Sequence, residues 1–574
     1  MVPTNMITLE DLVKKYFAEY NIVDTINLDN WYSLSDNERV NWIRSRLEKI
    51  YNSAYDENDR ILFTLAQGDE YSNENDQLGL ILKTLQQQLL QMNIGNQHVV
   101  VLVNDFEQFD PAREQLKILN NNSDTMVFDY FTTEQVPGKK IISKEPAYNY
   151  NSAKPIKIDL DQLNSRQQEL LMKSKTFCMY PWIHMHVEPS GRVMPCCGAT
   201  YKDISTVGKT SEKSLKEIWN DEPMKNLRLN MLNDRTSEIC NRCYESEKAG
   251  FFSMRLSANK HHGHHIDLVD STNDDGSLDQ FKMVYWDVRF SNICNLKCRS
   301  CGPSFSSQWY QDQIKIAPDY AKNHKALIFA GKFETDLWEQ LIEHIDYVEQ
   351  VYFAGGEPIL MDEHYRILEE PEKRNKFDVR LIYNTNFTEI KLKDRTVFDY
   401  WKKFKSVAVG ASLDGSYQHG EYIRKGTVWE EVEANRRLML EVCPGVDFYI
   451  SATLSILNAW HLPDFHRDWV TKGLIKPQDF NVNILTDPAH YRIDIAPDAY
   501  KQKIKEKYNQ HLAWLSPLDQ LRRASNGFES AINFMMSTDN QHLLEKFWFK
   551  TNELDKIRNE NLLDVIPELG MLKI

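Results

Sequence analysis

The sequence predicts an α/β protein whose largest part is a partial, TIM-like (β/α)6 barrel. Three observations lead there. Six β-rich segments recur in the second half of the chain: VYWDVRF (284–290), VEQVYFAGG (348–356), VRLIYNTN (379–386), VAVGASLDG (407–415), VDFYISATL (446–454) and FNVNIL (480–485). Helical spacing fills most of the gaps, as with Leu337, Trp338, Leu341, Ile342 and Ile345, or Val432, Asn435, Leu438 and Met439. A strand–helix period of roughly 30–40 residues leaves room for the crossovers that parallel strands require, so the sheet should be parallel and closed or partly closed. Ligands of such a sheet gather at the carboxyl ends of its strands.

The other segments surround this barrel. At 574 residues the chain is long enough for three or four folded units. Residues 1–150 alternate strand and helix patterns, with ILFTLA (61–66), a Leu-rich helix near 77–92, HVVVLVN (98–104) and MVFDYF (126–131), and read as a small α/β domain. A polar linker is expected at 148–157. Residues 170–260 are rich in cysteine and short strands, with a turn at Glu188-Pro189-Ser190-Gly191, and read as a small α+β domain. The stretch 261–279, HHGHH followed by STNDDGS, reads as a solvated connection to the barrel at 280–490, and 495–574 as a helical extension packed on it.

Composition narrows the function. Hydrophobic residues make up 42% and charged residues 26%, which is ordinary for a globular chain, and the net charge of −15 opposes loose adsorption to nucleic acid or an anionic membrane. Basic stretches such as Trp401 to Lys405 read as a solvated helix face. No apolar run reaches the roughly 18 residues of a membrane helix. Glu10 and Asp11 occupy the place of a signal peptide's apolar segment, so a reducing, cytoplasmic setting is expected. Nine cysteines are too few for a disulfide scaffold, yet eight fall between Cys178 and Cys301. Clustered thiols in a reducing compartment point to metal.

Cys294, Cys298 and Cys301 form C-x3-C-x2-C directly after the first barrel strand. Three thiolates on one loop suit a soft metal centre, and three rather than four protein ligands leave one coordination position open for chemistry. Gly355-Gly356-Glu357-Pro358 follows the second strand, Asn384-Thr385-Asn386 the third, and Ser412-Leu413-Asp414-Gly415 the fourth. Together these motifs resemble the radical S-adenosylmethionine enzymes over about 280–490. The resemblance implies that Cys294, Cys298 and Cys301 hold a 4Fe–4S cluster whose fourth iron binds S-adenosylmethionine, and that reductive cleavage yields a 5'-deoxyadenosyl radical for hydrogen abstraction. It further implies that Gly355, Gly356 and Glu357 receive the methionine amino group. Ser412 and Arg424 would lie near its carboxylate, and Asn384 and Asp414 would belong to the same binding surface.

The second cysteine group reads C-x12-G-x4-C, from Cys178 through Gly191 to Cys196, followed by Cys240 and Cys243 as C-x2-C. Four thiolates suit zinc or a cubane cluster equally well. The pattern resembles the SPASM and shorter twitch auxiliary-cluster domains, which implies a second 4Fe–4S cluster, here placed before the barrel. Cys197 is surplus and stands as a possible substitute for Cys196, and Cys443 reads as a core thiol. Relatives of this kind modify peptides or proteins, so a peptide or protein substrate is expected, with a flavodoxin- or ferredoxin-like one-electron reductant. The alternatives are action on a sugar, nucleoside or metabolite, and a non-catalytic iron–sulfur protein for electron transfer or assembly. No membrane partner is expected, and nucleic acid stands last.

Overall fold

The computed structural model describes residues 162–200, 203–248, 253–519 and 522–572, the single residue 158, and the backbone of four strands in the first 132 residues. The chain divides into two compact units, Met1–Ile142 and Ser143–Ile574. In the first, β1 (Asn21–Asn27), β2 (Ile61–Ala66), β3 (His98–Val103) and β4 (Val127–Thr132) form one sheet in chain order, every neighbouring pair parallel. Parallel neighbours need a crossover between them, which fits the expected α/β unit. The helices and the linker expected within 1–157 lie outside the described residues.

The second unit is built on one nine-stranded sheet. Its strands are β5 (His184–Val187), β6 (Arg192–Met194), β7 (Gly208–Lys209), β8 (Tyr285–Val288), β10 (Gln350–Phe353), β11 (Arg380–Thr385), β14 (Ser406–Ala411), β16 (Asp447–Leu454) and β17 (Phe480–Ile484). Two small two-stranded pairs interrupt this numbering: β9 (Lys297–Cys298) with β15 (Arg424–Lys425), and β12 (Lys391–Leu392) with β13 (Arg395–Thr396). The order is β17-β16-β14-β11-β10-β8-β5-β6-β7, and each pair from β17 through β8 is parallel. These are the six segments whose period the sequence displays. Strands covered on both faces become continuously apolar, and every residue of β14, SVAVGA, is buried. The helix Trp429–Val442 buries Trp429, Val432 and Met439 while leaving Leu438 exposed, so it lies on the sheet by one stripe.

The cysteine-rich segment does not stand apart from this sheet. β5 runs parallel to β8 in the register His184↔Tyr285 through Val187↔Val288, and β6 and β7 continue the sheet antiparallel. The turn from β5 to β6 places Gly191 at φ +81°, where a side chain would collide with Thr210 and with the Ala330 carbonyl. The hairpin can therefore seat against the barrel only with glycine at its corner.

Between module and barrel the chain is ordered, contrary to the solvated connection read for 261–279. Helix Met254–His262 runs into a 3-10 turn at Gly263–His265 and a short helix at Asp267–Asp270. His262 is buried and stacks on Tyr285, with ring centroids 5.7 Å apart. Polarity misled the reading: these imidazoles face the barrel. The tail is helical at Asp498–Leu515, Arg523–Ser537 and Leu544–Arg558. Gly527 brings the second of these helices against Val482 of β17. Among the described residues no helix is long and apolar enough to cross a membrane.

One buried charge stitches β5 to β8. Asp287, fully buried, accepts from or shares a proton with His186 Nδ1 at 2.8 Å, and Arg289 lies 3.7 Å from its other oxygen. Burial alone would raise the Asp287 pKa, but His186 and Arg289 outweigh it and hold the carboxyl at about 2. A carboxylate whose folded pKa lies below the unfolded one stabilises the fold above the unfolded value, and that stability disappears as pH falls through the folded value. Asp287 should thus contribute about 2 kcal/mol at neutral pH, lost between about pH 4 and about pH 2. Denaturant titrations across that range should show the acid loss blunted in Asp287→Asn. Asp287→Ala, which leaves His186 and Arg289 without their anion, should cost about 3–5 kcal/mol at pH 7.

Candidate functional site

The loop that follows β8 carries the first three cysteines and is held in shape by its neighbours. Gly355 and Gly356, after β10, fit against it: Gly355 has φ +120°, and a Cβ on Gly356 would stand 2.1 Å from the Ile293 carbonyl oxygen. That approach lets the Glu357 N–H donate to the same carbonyl at 2.7 Å, one residue before Cys294. The two glycines therefore bring one loop backbone onto another.

Glu357 is buried, and both its oxygens are engaged. Oε1 accepts from the Thr385 hydroxyl at 2.7 Å and the Ile359 N–H at 3.2 Å, and Oε2 accepts from the Asn386 N–H at 2.7 Å. Burial raises its pKa to about 7 against the pull of those donors. With about four lone-pair sites on a carboxylate, one acceptor site remains for anything else. Asn386 also donates to Asn295, and Asn295 donates to Thr388, both at 2.8 Å, so the residue after Cys294 is tied to the loop after β11.

Cys298 lies on β9, whose ladder partner on β15 is Arg424. Arg424 is not a surface residue beside Glu421, which instead accepts from the Trp429 N–H. The guanidinium faces inward, with Nη1 3.6 Å from Cys298 Sγ and Nε 2.8 Å from Asp414 Oδ2. Asp414 is fixed in turn by the Thr453 N–H at 2.7 Å. Burial pushes Cys294 and Cys301 up to about 12, and it raises Cys298 against the lowering effect of Arg424. Such thiols ionise when a metal takes the proton's place. Three thiols on one loop beside a fixed cation suit a soft, anionic metal–sulfur centre.

The sequence offered no sign of a second brace, which comes from the tail. Arg299, between Cys298 and Cys301, is completely buried as a side chain; it pairs with Asp555 and, at 2.7 Å, with Glu560. Its guanidinium lies 3.7 Å over the Tyr422 ring, and the Tyr422 hydroxyl donates to Asp555. On the other side of the loop, Asp312 receives Lys297 at 3.0 Å and Arg558 at 2.8 Å. The last helices thus hold the cysteine loop by charge as well as by apolar packing.

The second cysteine group converges too. Cys178, Cys196, Cys240 and Cys243 line one small cavity with Met254 and Arg255. Burial raises all four pKa values, Cys240 to about 12. Among the described residues, no three of these sulfurs lie mutually within 4.8 Å. Cys197 points elsewhere: it lines the barrel cavity and sits 3.9 Å from Met254 Sδ. Cys443 is buried, with its thiol 3.4 Å from the Phe398 carbonyl.

The barrel cavity, about 550 Å3, runs along the inner face of the sheet. Tyr285, Tyr352, Tyr449, Asn384, Asn481 and Arg380 line it, and so does Ser412. Asn384 donates to the Tyr352 hydroxyl at 2.7 Å. Cys243, Gly198, Tyr180 and Met254 line both this cavity and the four-cysteine one. The module therefore forms part of the barrel's wall although it precedes the barrel in the chain.

Comparison with known proteins agrees with this geometry for the module. Residues 178–244 match the family model for SPASM, described as an iron–sulfur cluster-binding domain. No curated protein matches. Two solved structures superpose in part, at 18% identity and a TM-score of 0.28 each. They are native anSMEcpe with bound AdoMet and Kp18Cys peptide, covering 40% of this chain and 59% of that one, and native anSMEcpe with bound AdoMet, covering 41% and 60%. The chain thus spans under two thirds of either.

Gly356→Ala should push the Ile293 carbonyl aside and lower any iron retained after anaerobic reconstitution by up to about half, measured per chain by elemental analysis. Arg299→Ala, which leaves Asp555 without its cation and Glu560 with Lys425 alone, should cost about 3–5 kcal/mol in denaturant unfolding and loosen the tail to limited proteolysis.

Proposed function

We propose that the chain is a radical S-adenosylmethionine enzyme with an auxiliary 4Fe–4S cluster, acting on a peptide or protein. The observation that carries this reading is the three-thiol loop at the carboxyl end of the first barrel strand, braced by neighbouring loops and faced by Arg424. Cys294, Cys298 and Cys301 would hold the catalytic cluster. Bound there with S-adenosylmethionine, it supplies a radical able to take hydrogen from an unactivated carbon. Arg424 offsets the negative charge of the thiolates, and Asp414 keeps it there. Ser412 and Asn384, on the cavity wall near the strand ends, are placed to orient cofactor and substrate. With three donors already on Glu357, its role is to lock the loop after β11, leaving one acceptor site for an ammonium group.

Cys178, Cys196, Cys240 and Cys243 would take the auxiliary cluster, supported by their shared cavity, their spacing and the SPASM match. Four protein ligands leave no iron open, so an electron-transfer role fits. The substrate cavity abuts that cluster site through Cys243, which gives an electron a short route out of the substrate. Tyrosine hydroxyls, amides and the two guanidiniums of Arg242 and Arg380 line a cavity of small-ligand size, a surface rich in donors for the carbonyl groups of a peptide. A flavodoxin- or ferredoxin-like donor would supply the electron.

Anaerobic reconstitution should give about eight irons per chain, falling to about four in the Cys294/Cys298/Cys301→Ala triple variant. The same variant should release no 5'-deoxyadenosine with dithionite, and undiminished release would refute the proposal. Cys196→Ala should lose the other four irons while Cys197→Ala keeps them. Mass shifts in a co-expressed peptide, as opposed to the metabolite pool, separate the peptide substrate from a sugar or nucleoside.

A further inference from the structure

His264 and His265, set aside by their sequence as solvated, converge on Glu349. His264 Nε2 lies 2.9 Å from Glu349 Oε2 and His265 Nε2 lies 3.0 Å from Oε1. The ligand atoms of all three residues fall within 4.8 Å of one another, the one such grouping of His, Cys, Asp and Glu among the described residues. The backbone presenting them is rigid. Both imidazoles belong to the 3-10 turn Gly263–His265, where a Cβ on Gly263 would meet Ile158 and Leu171. Glu349 precedes β10, and its N–H donates to Val284 O at 2.9 Å while its carbonyl accepts from Arg380 N at 2.7 Å.

The two contacts differ in a way that matters. His264 is aligned as a hydrogen bond, whereas His265 Nε2, buried and 3.0 Å from the other carboxylate oxygen, is at hydrogen-bond distance but poorly aligned. A nitrogen and an oxygen that close, with the nitrogen's axis turned from the oxygen, lack the alignment a hydrogen bond needs. Two ligands of one ion have that relation, because both aim at a third point. At metal–ligand distances of about 2.0–2.1 Å, neighbouring donor atoms stand about 2.9 Å apart at right angles and about 3.3 Å apart around a tetrahedral ion, so a shift of a few tenths of an ångström opens the site to zinc.

We infer that His264, His265 and Glu349 form a mononuclear site for a divalent transition-metal ion. Two imidazoles and one carboxylate suit ions of zinc's class, with water filling the remaining positions. The site lies at the amino end of β10, opposite the strand ends that lead to the cysteine loop. Its ion would pin the segment joining the cysteine module to the barrel, and the inference is independent of the radical chemistry.

The test uses untagged, full-length protein with its iron–sulfur centres assembled, so that the cysteines are occupied. After dialysis against chelator, Zn2+ is added and bound zinc measured by elemental analysis, with zinc X-ray absorption identifying the ligands. One further zinc per chain is expected, with nitrogen and oxygen neighbours and no sulfur, and with a rise in melting temperature. That zinc and that rise should both disappear in His264→Gln/His265→Gln and in Glu349→Gln, with iron content unchanged. Wild-type protein that takes up no zinc, or zinc with sulfur neighbours, would overturn the assignment, as would undiminished uptake by Glu349→Gln.

Discussion

The eight-residue loop that carries Cys294, Cys298 and Cys301 is held by bonds from segments far apart in the chain, and the architecture around it depends on that bracing. A free loop of this kind would relax to solvate its backbone and scatter its side chains. Here the Gly356 contact with the Ile293 carbonyl fixes the start of the loop, the Asn295–Asn386–Thr388 chain its middle, and the β9–β15 ladder its return. Arg299 then ties the loop to Asp555, 256 residues away in sequence. Every strand-end loop from β8 to β14 contributes a bond to the cysteine loop or to a residue that holds it.

Charge follows the same logic. Asp287, Arg299 and Asp414 are buried and Arg424 is mostly so, and each meets an opposite charge. Burying such pairs costs desolvation that offsets much of their attraction. Their effect is on geometry, since a buried guanidinium has few positions in which its charge is met. Arg424, between Asp414 and Cys298, is held where it can reduce the repulsion within a thiolate cage.

Much of this was legible in the sequence because local signals carried it. The six barrel strands announced themselves by period, and both cysteine groups by spacing; the structure gathers Cys178, Cys196, Cys240 and Cys243 around one cavity and sends Cys197 to another. Asp287 and Arg289 stood in plain view as charges inside an otherwise apolar strand, yet a single strand does not tell which partner will neutralise them. The Arg299–Asp555 pair left no local trace at all. The imidazoles at 262–265 were misread because polar composition does not reveal which face of a turn meets a neighbouring strand. Glu357 was read as receiving the methionine amino group, and nothing in the sequence marked the three donors from its own chain that occupy most of its acceptor sites.

The parallel ladder between β5 and β8 carries a consequence for how this chain can be divided. A fragment beginning at Met283 would keep all six barrel strands but leave one side of β8 bare, a row of unsatisfied peptide groups beside aromatic residues whose cover has been removed. Such an edge invites pairing with another copy of itself. Dissection at that boundary would yield sticky oligomers rather than a minimal folded unit, and the natural seam for shortening the protein is the junction between its two compact units.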